Sequence, residues 1–197
     1  LAVVLASAIN ITVSYKQLSA INSMVVEKEH EILPHVLNFM KLQKDVIQVQ
    51  QWLTDVSATR AHEGFDDGFE EAKNYFNDGN KILDHLIKEH IRYQEPEMIN
   101  ELKLFKDNFS KFYQIGIKMA NTYIKSGAIE GNKMMLELDP FAAKLSDSLQ
   151  VWIKEHTIEN NQRAKNIESN LTSSLNTTIT IGIIVILATI IIFILLS

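Results

Sequence analysis

Ile179 to Leu196 reads ITIGIIVILATIIIFILL, 18 residues without a charge. As a helix it rises about 27 Å, close to the hydrocarbon thickness of a bilayer. Lipid offers no partner to a backbone amide, so each must be paired within the helix, and a spanning helix tolerates residues such as Thr180, Gly182 and Thr189. A secretory signal lies at the other end of a chain and is shorter. A core helix this apolar needs protein on every side. The stretch is therefore read as a membrane span.

Without that span, the 197-residue chain keeps enough ordinary polar sequence for one domain. Only 7 Gly and 3 Pro leave few places for tight turns, which points away from an all-β fold and toward an all-α one. Having no cysteine excludes disulfides, thiolate nucleophiles and zinc-thiolate sites. A net charge of -5 without a basic block argues against nucleic acid as a partner. Leu1 to Val13 is apolar and uncharged but too short to cross a bilayer, and reads as the end of a longer first span. The tail of a cleaved signal is the alternative, and both readings put the middle of the chain outside the cytoplasm. The expected organisation is residues 1–14 as the end of one transmembrane helix, 15–178 as an extracytoplasmic domain, and 179–196 as the second transmembrane helix.

Apolar residues in the middle recur at helical spacing. The first stripe is Leu18, Ile21, Val25 and Ile32, then Leu42, Val46, Val49, Leu53 and Val56, with Pro34 expected to bend or interrupt it. HEGFDDG at His62 to Gly68 suits a turn leading into a second helix with the stripe Phe65, Phe69, Ala72, Phe76, Leu83 and Leu86. Tyr93 to Pro96 ends that helix. The third stripe is Met98, Leu102, Phe105, Phe109, Phe112, Gly116, Met119 and Tyr123. After a turn at Ser126 to Asn132, the fourth is Met135, Leu138, Ala142, Leu145, Leu149 and Trp152, with Ile167, Leu171 and Leu175 leading to the span. The middle helices come to about 42 to 45 Å and the outer two to about 70 Å. These lengths predict an up-and-down four-helix bundle on a two-helix stalk.

No serine has a histidine and an acid in a nucleophile-elbow setting, and no glycine-rich loop follows a strand, so no enzyme and no catalytic residue are expected. Only Glu27 and His30 have the Glu-x-x-His spacing of a di-iron bundle, and His85 and Glu89 lack a second histidine at metal-ligand spacing, so no metal or cofactor is expected. The acids Glu63, Asp66, Asp67, Glu70 and Glu71 suit a helix N-terminus. The informative stretch is QVQQWLTDVSATR at Gln48 to Arg60. Beside its apolar seam, Gln43, Gln50, Thr54 and Ser57 form a neutral polar stripe with Arg60 one turn above, a face for a second copy of the helix or a small polar ligand. Trp52, placed by counting from the tips, is expected to fill space left by Gly116, Ala142 and Ala143.

QQWLTDVSATR at Gln50 to Arg60, GFDDGFEEAKNYF at Gly64 to Phe76 and GAIEGNKMMLELDPFAAKL at Gly127 to Leu145 resemble the four-helix-bundle periplasmic sensor of bacterial methyl-accepting chemotaxis receptors. With the flanking spans, the resemblance covers nearly the whole chain. It implies a homodimer in the bacterial inner membrane, feeding a HAMP linker and a cytoplasmic signalling hairpin beyond Ser197. The expected ligand is small and polar or anionic, or else a periplasmic binding protein. Arg60 would pair with an anionic group, Gln50, Thr54 and Ser57 would supply hydrogen bonds, and Asn132 and Lys133 lie at similar height on the second tip. The sequence departs from the aspartate-receptor pattern in having Arg60 without an arginine cluster. A sensor histidine kinase input domain, or a membrane-anchored helical bundle that does not signal, shares the same stripes.

Overall fold

A computed structural model describes residues 2–196. Leu1, part of the expected first span, and Ser197 lie outside the described residues. The described chain is all-α, without a strand. Its elements are α1 (Ala2–Glu27), a π-helix (Lys28–Ile32), α2 (Leu33–Thr59), α3 (Gly68–Tyr93), α4 (Pro96–Ser126) and α5 (Ala128–Leu196). Where one long first helix with a defect at Pro34 is expected, the defect is a wide turn just before the proline. The amide of Leu33 reaches the carbonyl of Lys28. In a regular helix the Pro34 ring would meet the carbonyl of His30, and the wider turn relieves that clash.

The other joints follow from local chemistry. At the end of α2, the amide of Ala61 bonds to the carbonyl of Val56 at 3.2 Å, the six-to-one closure that satisfies an orphan carbonyl. Arg60 and Ala61 adopt φ of 54° and 49° there, where glycine is usual. Gln94, at φ 60°, ends α3, and Pro96 opens α4 at a position where a missing amide costs nothing. Gly127 alone separates α4 from α5.

The chain divides into two compact units, His35–Glu155 and the remainder, residues 2–34 with 156–196. In His35–Glu155, one core draws on α2, α3, α4 and α5 through Leu42, Val49, Leu53, Leu83, Leu86, Phe109, Phe112, Leu145 and Leu149. Successive helices run antiparallel: His35 meets Glu89, Asp84 meets Lys106, Phe76 stacks on Tyr113 with centroids 4.3 Å apart, and the Trp152 indole donates to Glu101 at 3.0 Å. Close approach uses glycine where a side chain has no room. A Cβ on Gly116 would sit 2.6 Å from Leu53 Cδ1, and one on Gly79 would sit 2.9 Å from Phe109 Cε1.

Two expectations are corrected here. Leu53, not Trp52, occupies the space at Gly116, because Leu53 lies on the inward seam while Trp52, one residue earlier, is only half-buried. Phe65 lies in the turn before α3 and is 61% exposed, so it is not part of the α3 stripe. Leu18 and Met135 are also exposed stripe residues.

In the other unit, α1 pairs with the second half of α5. Ser14 bonds to Thr178 at 3.0 Å, Ser174 donates to Gln17 at 3.0 Å, and Arg163 meets Glu27 at 2.9 Å. Numbers rising on α1 against numbers falling on α5 make this pair antiparallel. Within α5 the apolar stretch is the one segment among the described residues long and apolar enough to cross a membrane, and it is uncovered by protein. α1 does not meet that test by itself.

Gly68 offers a clean check of the packing. A Cβ there would press on the Val56 side chain and sit 2.9 Å from the backbone oxygen of Trp52, which cannot rotate away, while one on Gly182 would meet nothing within 4 Å. Gly68→Ala is expected to cost about 1 to 3 kcal/mol in thermal unfolding, and Gly182→Ala is expected to leave the transition unmoved.

Candidate functional site

The residues singled out at the two tips fall into separate groups. Arg60 reaches across from the end of α2, its Nε donating to the carbonyl of Tyr123 on α4 at 3.3 Å. The Tyr123 hydroxyl in turn donates to Asn132 Oδ1 on α5 and lies 3.2 Å from Met135 Sδ. Arg60 and Asn132 are thus tied together through Tyr123. That residue was legible in the sequence only as part of the α4 stripe. Gly131 makes the arrangement possible, since a Cβ there would lie 2.6 Å from Tyr123 Cε2. Lys133 is committed to Glu130, with contacts of 2.7 and 2.9 Å.

The polar stripe on α2 divides. Gln50 and Thr54 are exposed. Ser57 is buried and donates to the Leu53 carbonyl at 2.7 Å, one turn back. A serine hydroxyl in a helix has this local acceptor available, and here it takes it. Its donor is therefore spent inside the chain, and a ligand on the outer face of α2 would meet Gln50 and Thr54.

Beside this group lies a cavity of about 310 Å³ between the last turn of α2 and the start of α3. Trp52, Asp55, Val56, Phe65, Asp67 and Gly68 are among its lining residues. Asp67, placed where it would cap α3, makes no side-chain capping bond. The indole nitrogen of Trp52 is buried without a hydrogen-bond partner.

A second cluster of polar groups sits where α2 begins and α3 ends. The rings of His35 and His90 lie 5.1 Å apart, centroid to centroid. His35 Nε2 and His85 Nε2 lie 3.2 and 3.3 Å from the same Glu89 oxygen, and His90 Nδ1 bonds to Glu95. His90 is 3% exposed, and its Nε2 has no partner. Burial pushes the His35 pKa below its ordinary value, helped by the neighbouring His90 and opposed by Glu89 and Glu95. No three His, Asp or Glu side chains among the described residues are grouped to hold a metal ion. Helical periodicity marked Glu89 and His85 as one turn apart but carried no sign that His35 and His90 would meet.

Asp45 is a further group that sequence reading passed over. It is 2% exposed, with Oδ2 unpartnered, and burial raises its carboxyl pKa above the ordinary value, with Asp78 adding to the rise and Lys41 and Lys44 opposing it. Compared with protein families, with curated proteins and with solved structures, the chain gave no match.

Both shifts determine how stability depends on pH. His35 has a lowered folded pKa, so the unfolded chain binds the proton more readily. Its neutral form favours the fold, and stability is expected to fall as pH drops below about 6.5 toward the folded value. Asp45 has the opposite sign, because the ionised form is the one that is penalised in the fold. Asp45→Asn is expected to stabilise the protein by about 1 to 2 kcal/mol at pH 7, with the gain fading as pH falls through the folded pKa toward 3.8. Thermal unfolding of the wild type and this variant between pH 4 and pH 8 reads both effects.

Proposed function

We propose that this chain is the sensing and membrane-spanning part of a bacterial methyl-accepting chemotaxis receptor. The observation that carries the reading is the continuity of α5. It runs unbroken from Ala128, past the core residues Leu138, Leu145, Leu149 and Trp152, into the apolar stretch that ends at Leu196. A stimulus that moves those core positions has a stiff path along one helix. On this reading residues 15–178 are an extracytoplasmic up-and-down four-helix bundle on a two-helix stalk, held in the inner membrane by residues 1–14 and 179–196. The antiparallel succession of α2 to α5 supports the bundle, and the pairing of α1 with α5 supports the stalk. The three sequence blocks that resemble chemoreceptor sensors support the family.

Two copies would pair, and a small polar or anionic ligand or a periplasmic binding protein would engage the group at Arg60, Tyr123 and Asn132 with Gln50 and Thr54. Arg60 keeps its terminal nitrogens for an anionic group while its Nε holds the Tyr123 carbonyl. A ligand that prefers one of two packings shifts their populations by its difference in affinity, each tenfold preference being about 1.4 kcal/mol. The movement expected of α5 against α1 is about 1 to 2 Å, a step typical of switching between helix packings. The contacts of Glu27 with Arg163, Gln17 with Ser174 and Ser14 with Thr178 would register it in turn.

A chimera joining this chain to the HAMP linker and signalling hairpin of a chemoreceptor tests the reading. Since the chain has no cysteine, Gln17→Cys with Ser174→Cys gives a unique cross-link. Cross-linking is expected to lock kinase output in one state, and Arg60→Ala is expected to weaken the response to an active stimulus about tenfold. Kinase output indifferent to both changes would sink the proposal.

A further inference from the structure

The cavity between α2 and α3 has a chemistry of its own, different from that of the Arg60 group. Its walls combine two aromatic side chains, Trp52 and Phe65, with two carboxylates, Asp55 and Asp67, and no basic side chain is among the lining residues. We propose that it is a binding site for a small alkylammonium ion.

The two carboxylates are the first reason. Neither Asp55 nor Asp67 has an ion-pair partner or a side-chain hydrogen bond among the described residues. Asp78, Asp84, Asp107 and Glu130, by contrast, each hold a lysine. Asp67 even forgoes the helix-capping bond its position allows. The nearest cation in sequence, Arg60, sends its Nε away to Tyr123. Two carboxylates without an internal partner on one small cavity offer negative charge to a cation that enters it.

The aromatic side chains are the second reason. Phe65 is 61% exposed at the edge of the cavity, so its ring gains little from the core. A cation over an aromatic face gains about 0.5 to 2 kcal/mol, and methyl groups on nitrogen add contact with Val56 and the indole. The cavity also has firm walls. Gly68 brings the start of α3 so close to α2 that a Cβ would lie 2.9 Å from the Trp52 carbonyl oxygen. At about 310 Å³ the space suits a ligand of a few heavy atoms. An anion is disfavoured by the carboxylates, and a bare metal ion by the apolar lining. The inference stands on the cavity itself, whether or not the chain signals.

The test uses the full chain in lipid nanodiscs with 5-fluorotryptophan at its two tryptophans, read by fluorine NMR. Tetramethylammonium, choline and butylammonium are titrated beside 3,3-dimethylbutanol, the neutral analogue of choline, and acetate. The ammonium ions are expected to move the Trp52 resonance saturably and leave that of Trp152 in place. The neutral analogue is expected to bind at least about tenfold more weakly, and acetate not at all. Asp55→Asn and Asp67→Asn, both at exposed positions, should each weaken the ammonium ions about 3- to 10-fold, and Phe65→Leu should weaken them while sparing the fold. Equal binding of choline and its neutral analogue would reduce the site to an apolar hollow. No shift with any ammonium ion, or a shift that ignores both aspartate variants, would overturn the proposal outright.

Discussion

The interior of His35–Glu155 depends on one apolar seam being shared four ways. Most of a protein helix's stability comes from packing its apolar face, so α2, α3 and α4, 26 to 31 residues long, hold their form by covering one another's apolar faces. Burying a side chain such as Leu53, Leu83 or Phe109 contributes about 1.5 to 3 kcal/mol relative to leaving it in water. The rings are arranged to touch. Trp152 lies 5.2 Å, centroid to centroid, from both Phe39 and Phe105, which links α2, α4 and α5 through one side chain. Its indole nitrogen still needs an acceptor, and Glu101 provides it at the rim. Glycine at 79 and 116 then lets the backbones close on that seam.

Much of that seam was readable in advance. Leu42, Val46, Val49, Leu53 and Val56 repeat at steps of three and four, and all five are buried. Phe105, Phe109, Phe112, Gly116 and Met119 behave the same way on α4. Periodicity reports which face of a helix turns inward, because that is set by 3.6 residues per turn. It does not report which neighbour a side chain meets, and this is where expectation failed. Height along the helices pairs Trp52 with Gly116, but height says nothing about direction around the helix, and Leu53 is the residue that faces it. Phe65 fits the spacing of the α3 stripe but belongs to the turn before it. The contact of His35 with His90, and the seclusion of Asp45, join residues far apart in sequence and leave no local pattern.

At the candidate site, residue types were legible and their commitments were not. Arg60, Asn132 and Lys133 were all identified, yet they differ in what they already hold. Lys133 is paired within its own helix, Arg60 bridges to a carbonyl, and Asn132 accepts from Tyr123. Ser57 has turned inward. The distinction is one of desolvation and geometry: a polar side chain is available to a ligand only where no internal partner is in reach. By that measure Asp55 and Asp67 are among the more available charged groups near this end of α2.

The pairing of α1 with α5 carries a consequence for how the chain responds to its solution. Between Ser14 and Thr178, and between Gln17 and Ser174, the contacts are neutral and interchangeable, so a small slide trades one hydroxyl or amide for another and strands no charge. Glu27 with Arg163 is different in kind, an ionic clasp about one-third exposed on each side. Dissolved ions weaken such a clasp and leave the neutral rungs almost untouched. The helix pair is therefore fastened by salt-sensitive attraction at the end farther from the apolar stretch and free to slip nearer to it. Ionic strength then sets how easily the pair changes register.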